Sequence, residues 1–265
     1  MNVTGKNLKT ISSHIYIDMV DDILNFHNKG NILIDKKFNS QIIPHTLNYQ
    51  ELRSLEKSDF EISPFHDQDI ACLPNMDAYL CRQRSANSFN KQLIPFTTLK
   101  NILHHSFAAK NGHRPYPSAG ALYPVEVLCI IFSDRLSDSP ESGFYHYRPT
   151  QQVLQPIKLV AAEKIRNVIY SLETSEHRQP NFAFLYFIVI GKMLIKYRYR
   201  GYRYAMMEAG AMFQQADLIA DAFALNNKIY SGFNDHEITK FIGVDPINFL
   251  PLVIQSFGVA NENVK

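Results

Sequence analysis

The chain has 265 residues, of which 46% are hydrophobic and 20% charged, with a formal net charge of +2. This is the balance of one large globular domain, or of one domain with an extension. It excludes a general electrostatic drive towards nucleic acid or an anionic membrane. No apolar run approaches the roughly 20 residues of a membrane span.

The three cysteines, Cys72, Cys81 and Cys129, lie far apart and form no CxxC pair. The N-terminus, Met1 to Lys6, lacks the apolar core of a signal peptide. Both features point to a reducing cytoplasm. Residues 1–80 read as an N-terminal extension, a candidate for docking or dimer contact. A short strand at Ile15-Tyr16-Ile17 leads there into a helix through Met19, Ile23 and Phe26. Segments broken by Gly30, Pro44, Pro64 and Pro74 follow. Residues 81–265 read as the main domain.

Arg82, Arg84 and Ser85 bring two guanidinium forks next to a hydroxyl, a combination suited to phosphate. A surface arginine pair is more often only solvated charge, so alone this signal is weak. Thr97 or Thr98 is positioned to cap a helix through Leu99, Ile102, Leu103 and Phe107, with a stop near Asn111-Gly112. His104 and His105 point about 100° apart on that helix, so they are poor joint ligands. No other cluster has metal-ligand spacing, and no metal site is expected.

The next stretch organises the chain: Arg114-Pro115-Tyr116-Pro117-Ser118-Ala119-Gly120-Ala121-Leu122-Tyr123-Pro124. Three prolines fix φ and push their predecessors towards extended geometry. Between them lie small side chains that leave the backbone accessible, with Gly120 free to take a positive φ. A stiff, bare loop of this kind suits a wall for a flat ligand. It also suits an ordinary loop. Val125 to Phe132 then reads as a largely buried strand.

Phe144-Tyr145-His146-Tyr147 and Val153 to Ile157 read as a hairpin, and Val160 to Leu172 as a helix. Phe182 to Ile190 is apolar almost throughout, which predicts a central strand buried on both faces. Lys192 to Tyr204 alternates basic and aromatic residues, a pattern that also occurs in single-strand nucleic-acid binders. It feeds a long helix with an apolar face at Tyr202, Met206, Ala209, Phe213, Ala216, Ala220 and Phe223. If the helix extends backwards, Lys196, Arg200 and Arg203 share one face. Glu208 and Asp217 are its notable acids; either can simply pair with a neighbouring arginine, and neither is assigned a chemical role. A short strand or turn around Gly232 comes next. A short helix with Asp235 as cap follows, and Leu252 to Gly258 is the last strand.

Three blocks carry a family resemblance: Arg114 to Val127, Lys196-Tyr197-Arg198-Tyr199-Arg200-Gly201-Tyr202-Arg203, and Gly232-Phe233 ahead of Asp235. The chain resembles the flavin-dependent dehydrogenases that form thiazole and oxazole rings in peptide natural products. These are a branch of the nitroreductase superfamily, and the resemblance is to the dehydrogenase subunits of microcin B-type synthetases in particular. It covers about residues 80 to 258 clearly, and extends more loosely into Phe26 to Asn31.

The resemblance implies an α+β fold with a central, mostly antiparallel sheet flanked by helices, dimeric, with FMN at the subunit interface. It implies that Pro117, Ser118, Ala119, Gly120, Ala121 and Leu122 line the flavin, with Gly232 and Phe233 near its reactive edge. Arg82, Arg84 and Ser85 would hold its phosphate. The family pattern places arginine two residues either side of the serine, where this chain has Gln83 and Asn87, so Arg200 or Arg203 is expected to compensate.

Lys196 and Tyr197 are then the catalytic pair. The implied activity is oxidation of thiazoline and oxazoline rings in a ribosomally made precursor peptide, beside cyclodehydratase subunits of a synthetase complex. In that reaction a base takes the ring Cα proton, and a lysine performs this where burial or nearby cations favour its neutral form. The alternatives are a general NAD(P)H-dependent nitroreductase and a non-catalytic scaffold that keeps the fold.

Overall fold

The computed structural model describes residues 17–29, 48, 50, 85–170 and 179–261. The chain divides into two compact units, residues 1–32 with 82–265, and residues 33–81. Nearly all of the second unit lies outside the described residues. In the first, helix α1 (Ile17–Asn28) is followed by strand β1 (Ile94–Pro95), helix α2 (Phe96–Phe107) and strand β2 (Val125–Ile131). Then come β3 (Leu136–Ser137), β4 (Gly143–Arg148), β5 (Val153–Leu159) and α3 (Ala162–Ile169). The rest is β6 (Phe182–Val189), α4 (Ile190–Tyr197), α5 (Tyr199–Ala222), β7 (Asn226–Tyr230), α6 (Asp235–Ile242) and β8 (Phe249–Gly258).

Six strands form one sheet in the order β5-β4-β2-β6-β8-β7, and every neighbouring pair is antiparallel. The expected α+β architecture is therefore present. β6 sits in the middle, with all but its last residue buried. Its side chains alternate between two cores, as the strand period of two requires. Phe182, Phe184, Tyr186 and Ile188 face one core with α2 and α5; Ala183, Leu185 and Phe187 face the other, with α3 and α6. Each buried phenylalanine contributes about 2–3 kcal/mol of burial. Two prolines sit in strands without breaking the sheet. Pro156 lies on the edge strand β5, and Pro251 of β8 lies opposite the register shift at Tyr186/Phe187. Edges and bulges are where the missing N–H is tolerated.

A buried polar network fixes α5 to the sheet. Tyr186 Oη donates to Gln255 Oε1 at 2.7 Å, and Gln255 Nε2 donates to Phe213 O at 3.0 Å and to Asn227 Oδ1 at 3.1 Å. Asn227 Nδ2 completes it by donating to Asp217. Asp217 thus holds a helix on a strand. No helix among the described residues is long and apolar enough to cross a membrane.

Local expectations shift in several places. Helix α2 starts directly after Pro95, with no side-chain cap from Thr97 or Thr98. It stops at Phe107, and Asn111-Gly112 instead forms a tight turn in which Lys110 and His113 exchange backbone hydrogen bonds. Both turn residues have positive φ, 51° and 79°, the geometry that favours Asn-Gly in two-residue turns. At α6 the cap is Asn234, whose side chain accepts from Glu237 N at 3.0 Å, and not Asp235. Ile15 and Tyr16 lie outside the described residues, and α1 begins at Ile17.

Candidate active site

The Pro-rich stretch turns sharply at its small-residue centre. Ala119–Ala121 makes one turn of tight helix, closed by Ala121 N to Ser118 O at 3.1 Å. Gly120, Ala121 and Tyr123 all take positive φ, at 61°, 54° and 47°. For the two non-glycine residues this costs about 1–2 kcal/mol each. Gly120 and Ala121 are exposed, so the bare backbone faces outward. Arg114 braces the entry: its guanidinium lies 4.2 Å from the Tyr123 ring centre and donates to Tyr116 Oη at 2.9 Å. Burial pushes the Tyr116 hydroxyl pKa up, against the opposing Arg114 charge, so it stays protonated.

The far end of the turn is held by an acid. Ser118 Oγ accepts from Tyr123 N at 2.9 Å and donates to Glu208 Oε2. Glu208 Oε1 accepts from Val125 N at 3.3 Å. Glu208 is only 3% exposed. Burial raises its pKa above the ordinary carboxylate value, while its bonds to Ser118 and Val125 oppose the rise.

Lys196 and Tyr197 reach this loop from α4. A methyl group in the Cβ position of Gly120 would stand 2.7 Å from Tyr197 Oη and 2.9 Å from Lys196 Nζ. The Lys196 ammonium lies 5.4 Å from the Tyr197 ring centre, and Tyr204 meets that ring edge-on at 5.0 Å. Lys196 and Tyr197 therefore form one cluster with Gly120, which lies 76 residues before Lys196 in sequence.

That cluster depends on a break in the helix. Arg198 takes φ 49°, ψ −135°, so α4 ends at Tyr197 and α5 starts afresh at Tyr199. Lys196 thus does not share a continuous face with Arg200 and Arg203. Gly201 lets the two helices fold together, because a Cβ there would stand 2.3 Å from Met193 O. The start of α4 is tied down as well: Lys192 Nζ donates to Glu126 Oε1, and His146 Nε2 lies 3.1 Å from Glu126 Oε2. Burial would raise the Glu126 pKa, but His146 and Lys192 reverse that and hold it at about 2.

The remaining expected residues fall elsewhere. Arg82 and Arg84 lie outside the described residues, and Ser85 is exposed. Arg200 and Arg203 are exposed on α5. Arg203 borders a cavity of about 560 Å³ between α1 and α5, whose wall includes Phe26, Tyr202 and Met206. Phe233 is 1% exposed and packs in the second core, whereas Tyr123, Met193 and Leu194 beside the cluster pack in the first. Gly232 is pressed against the Tyr230 ring, 2.8 Å from where its Cβ would be.

Glu208, Tyr204, Glu126 and Lys192 escaped sequence reasoning as site residues. The usable signal was the spacing of Gly201, Tyr204 and Glu208, which puts them on one helical face.

The sequence profile of the Nitroreductase family matches residues 82–259. The Microcin B17-processing protein McbC of Escherichia coli is 31% identical over 248 residues, covering 91% of this chain and 90% of that protein. Among solved structures, the E. coli Microcin synthetase McbBCD complex with truncated pro-MccB17 bound contains a similar chain. The TM-score is 0.81 at 27% identity, over 98% of this chain and 100% of that one. The antiparallel sheet, the family profile over residues 82–259 and these likenesses agree: the chain belongs to the Nitroreductase family.

Proposed function

We propose that the chain is an FMN-dependent azoline dehydrogenase. It oxidises thiazoline and oxazoline rings to thiazoles and oxazoles in a ribosomally made precursor peptide, as one subunit of a heterocycle synthetase. The observation that carries this reading is the meeting of Gly120 with Lys196 and Tyr197. The likeness to McbC and to a chain of the McbBCD complex with bound pro-peptide supports it.

The residues present fit a flat ring. Gly120 and Ala121 offer exposed backbone with almost no side chain, inside a turn stiffened by Pro117 and Pro124. Pro117 to Leu122 would line the isoalloxazine. Ser85, Arg200 and Arg203 are the described candidates for its phosphate, with Arg82 and Arg84 outside the described residues. Gly232 and Phe233 would lie near the flavin's reactive edge. When bound, FMN supplies the two-electron acceptor for the oxidation.

The protein's part is position and proton transfer. The Lys196 amine receives the ring Cα proton, and the Tyr197 hydroxyl orients the ring beside it. Lys196 is exposed, so bound substrate is what strips water from its amine. Tyr204 restrains the Tyr197 ring, and the Glu126–Lys192 contact fixes the helix start. The chain would act beside cyclodehydratase subunits, and as a homodimer. The exposed apolar side chains Phe26, Tyr199 and Met207 are the surface proposed for the self-contact.

The test is a flavin spectrum recorded anaerobically with an azoline-containing peptide. Bleaching by the parent, and loss of bleaching in Lys196→Ala and Tyr197→Phe at unchanged flavin content, is the expected result. Full azole formation by both variants would remove the pair from catalysis. Steady NAD(P)H consumption with a nitroaromatic and none of the peptide reaction would make the protein a general nitroreductase. Failure to take up FMN at all would leave a scaffold.

A further inference from the structure

We infer that Glu208 is a positioning residue of the dehydrogenase site: its carboxylate clamps both ends of the 118–125 turn and so holds Gly120 and Ala121 against Lys196 and Tyr197. The inference rests on the dehydrogenase reading for its chemistry. Its structural basis is independent of that reading.

The turn needs a clamp. Positive φ at Ala121 and Tyr123 persists only where the surroundings over-determine it. Two bonds from Glu208 do so. One reaches Ser118 Oγ, which itself closes on Tyr123 N; the other reaches Val125 N, the first amide of β2. A single buried carboxylate thus fixes the beginning and the end of the turn. Its burial is otherwise unfavourable for a carboxylate, and the two hydrogen bonds, with the nearby Arg114 charge, oppose that cost.

The clamp is mounted where it can set the catalytic distance. Gly201, Tyr204 and Glu208 lie on one face of α5, spaced at i, i+3 and i+7. Gly201 abuts Met193 of α4, Tyr204 abuts the Tyr197 ring, and Glu208 holds the wall. One helix face therefore touches both halves of the site and registers them against each other. A glutamine can replace the acid without losing either contact. Its amide oxygen accepts from Val125 N, and its amide N–H donates to the free lone pair of Ser118 Oγ. An alanine loses both.

The experiment compares Glu208→Ala with Glu208→Gln in three readouts. In cofactor-free protein, amide exchange should rise at least about tenfold in Glu208→Ala at Val125, which loses its acceptor, and at Tyr123, whose acceptor Ser118 loses its anchor. The FMN dissociation constant should rise about tenfold, and kcat for azole formation should fall about tenfold or more with KM nearly unchanged. Glu208→Gln should stay within about threefold of the parent in all three. Parent-like exchange and FMN affinity in Glu208→Ala overturns the inference. So does a Glu208→Gln variant as impaired as the alanine. Should Glu208→Ala fail to fold, Ser118→Ala removes one anchor, and unchanged exchange at Tyr123 in that variant overturns the inference equally. A parent protein that makes no azole defeats the dehydrogenase reading, while the exchange and FMN measurements still decide the clamp.

Discussion

Gly201 of α5 presses on the carbonyl of Met193 in α4, so closely that a Cβ would lie 2.3 Å from the oxygen. Both atoms of that clash belong to rigid helices, and no side-chain rotation relieves it. Gly201→Ala must part α4 from α5. Overpacking of this kind costs about 3 kcal/mol, read as a lower urea midpoint at unchanged slope. A shift of about 1 Å at Lys196 and Tyr197 should lower kcat by about a hundredfold. Parent-like kinetics would mean that the helix crossing does not set the pair.

Gly120→Ala separates activity from stability. The αL conformation costs an alanine about 1 kcal/mol, and Ala121 next door already bears it. The new methyl group, however, displaces Tyr197 Oη and Lys196 Nζ. Lysine can swing away, but the Tyr197 ring is backed by Tyr204. The expected result is a melting temperature only a few degrees lower, with turnover reduced by at least about tenfold. Thermal melts and single-turnover kinetics on one preparation check it.

Glu126 gives a pH dependence with a definite sign. Its carboxyl is held at about 2 in the folded protein, below an ordinary value near 4.5. Stability from this group is therefore complete above the ordinary value and lost as pH falls through the folded one. Glu126→Gln should be less stable than the parent by about 2 kcal/mol near neutral pH. The gap should close as pH approaches about 2. A gap that is constant with pH would show that the Lys192 and His146 contacts do not hold the charge.

Some of this was legible in the chain. β6 and β2 could be read because near-continuous apolar sequence has few other uses. The wall and the Lys196-Tyr197 pair were visible as motifs, but their contact was not, since it depends on the break at Arg198. Arginine carries no helix-breaking signal; its φ of 49° is imposed by the fold of α4 against α5. Glu208 was seen as an acid suited to a neighbouring arginine, and the Arg114 charge does act on it, but sequence does not show the serine hydroxyl and backbone amide it reaches. The cap at Asn234 rather than Asp235 is a one-residue ambiguity between two good capping residues.

His27 fastens α1 to the rest of the unit. Its Nε2 lies 3.0 Å from Asp235 Oδ2, and its Nδ1 lies 3.0 Å from Tyr202 Oη. A carboxylate only accepts, so Nε2 carries a proton towards Asp235, and Nδ1 meets the Tyr202 hydroxyl. Burial and the Asp235 charge push the Tyr202 hydroxyl up to about 12, which keeps it protonated. Tyr199 Oη adds a bond to Asp22 at 2.7 Å, and Met19 and Ile23 of α1 are buried in the first core. His27→Ala removes both bonds. It should destabilise α1 by about 2 kcal/mol relative to the remainder, seen as faster amide exchange confined to residues 17–28. Among the described residues no hydrogen bond links His27 to Lys196 or Tyr197. If α1 serves docking in a synthetase, activity on the full peptide should fall in this variant while oxidation of a short azoline substrate persists. Equal loss on both substrates would place α1 in the catalytic frame instead.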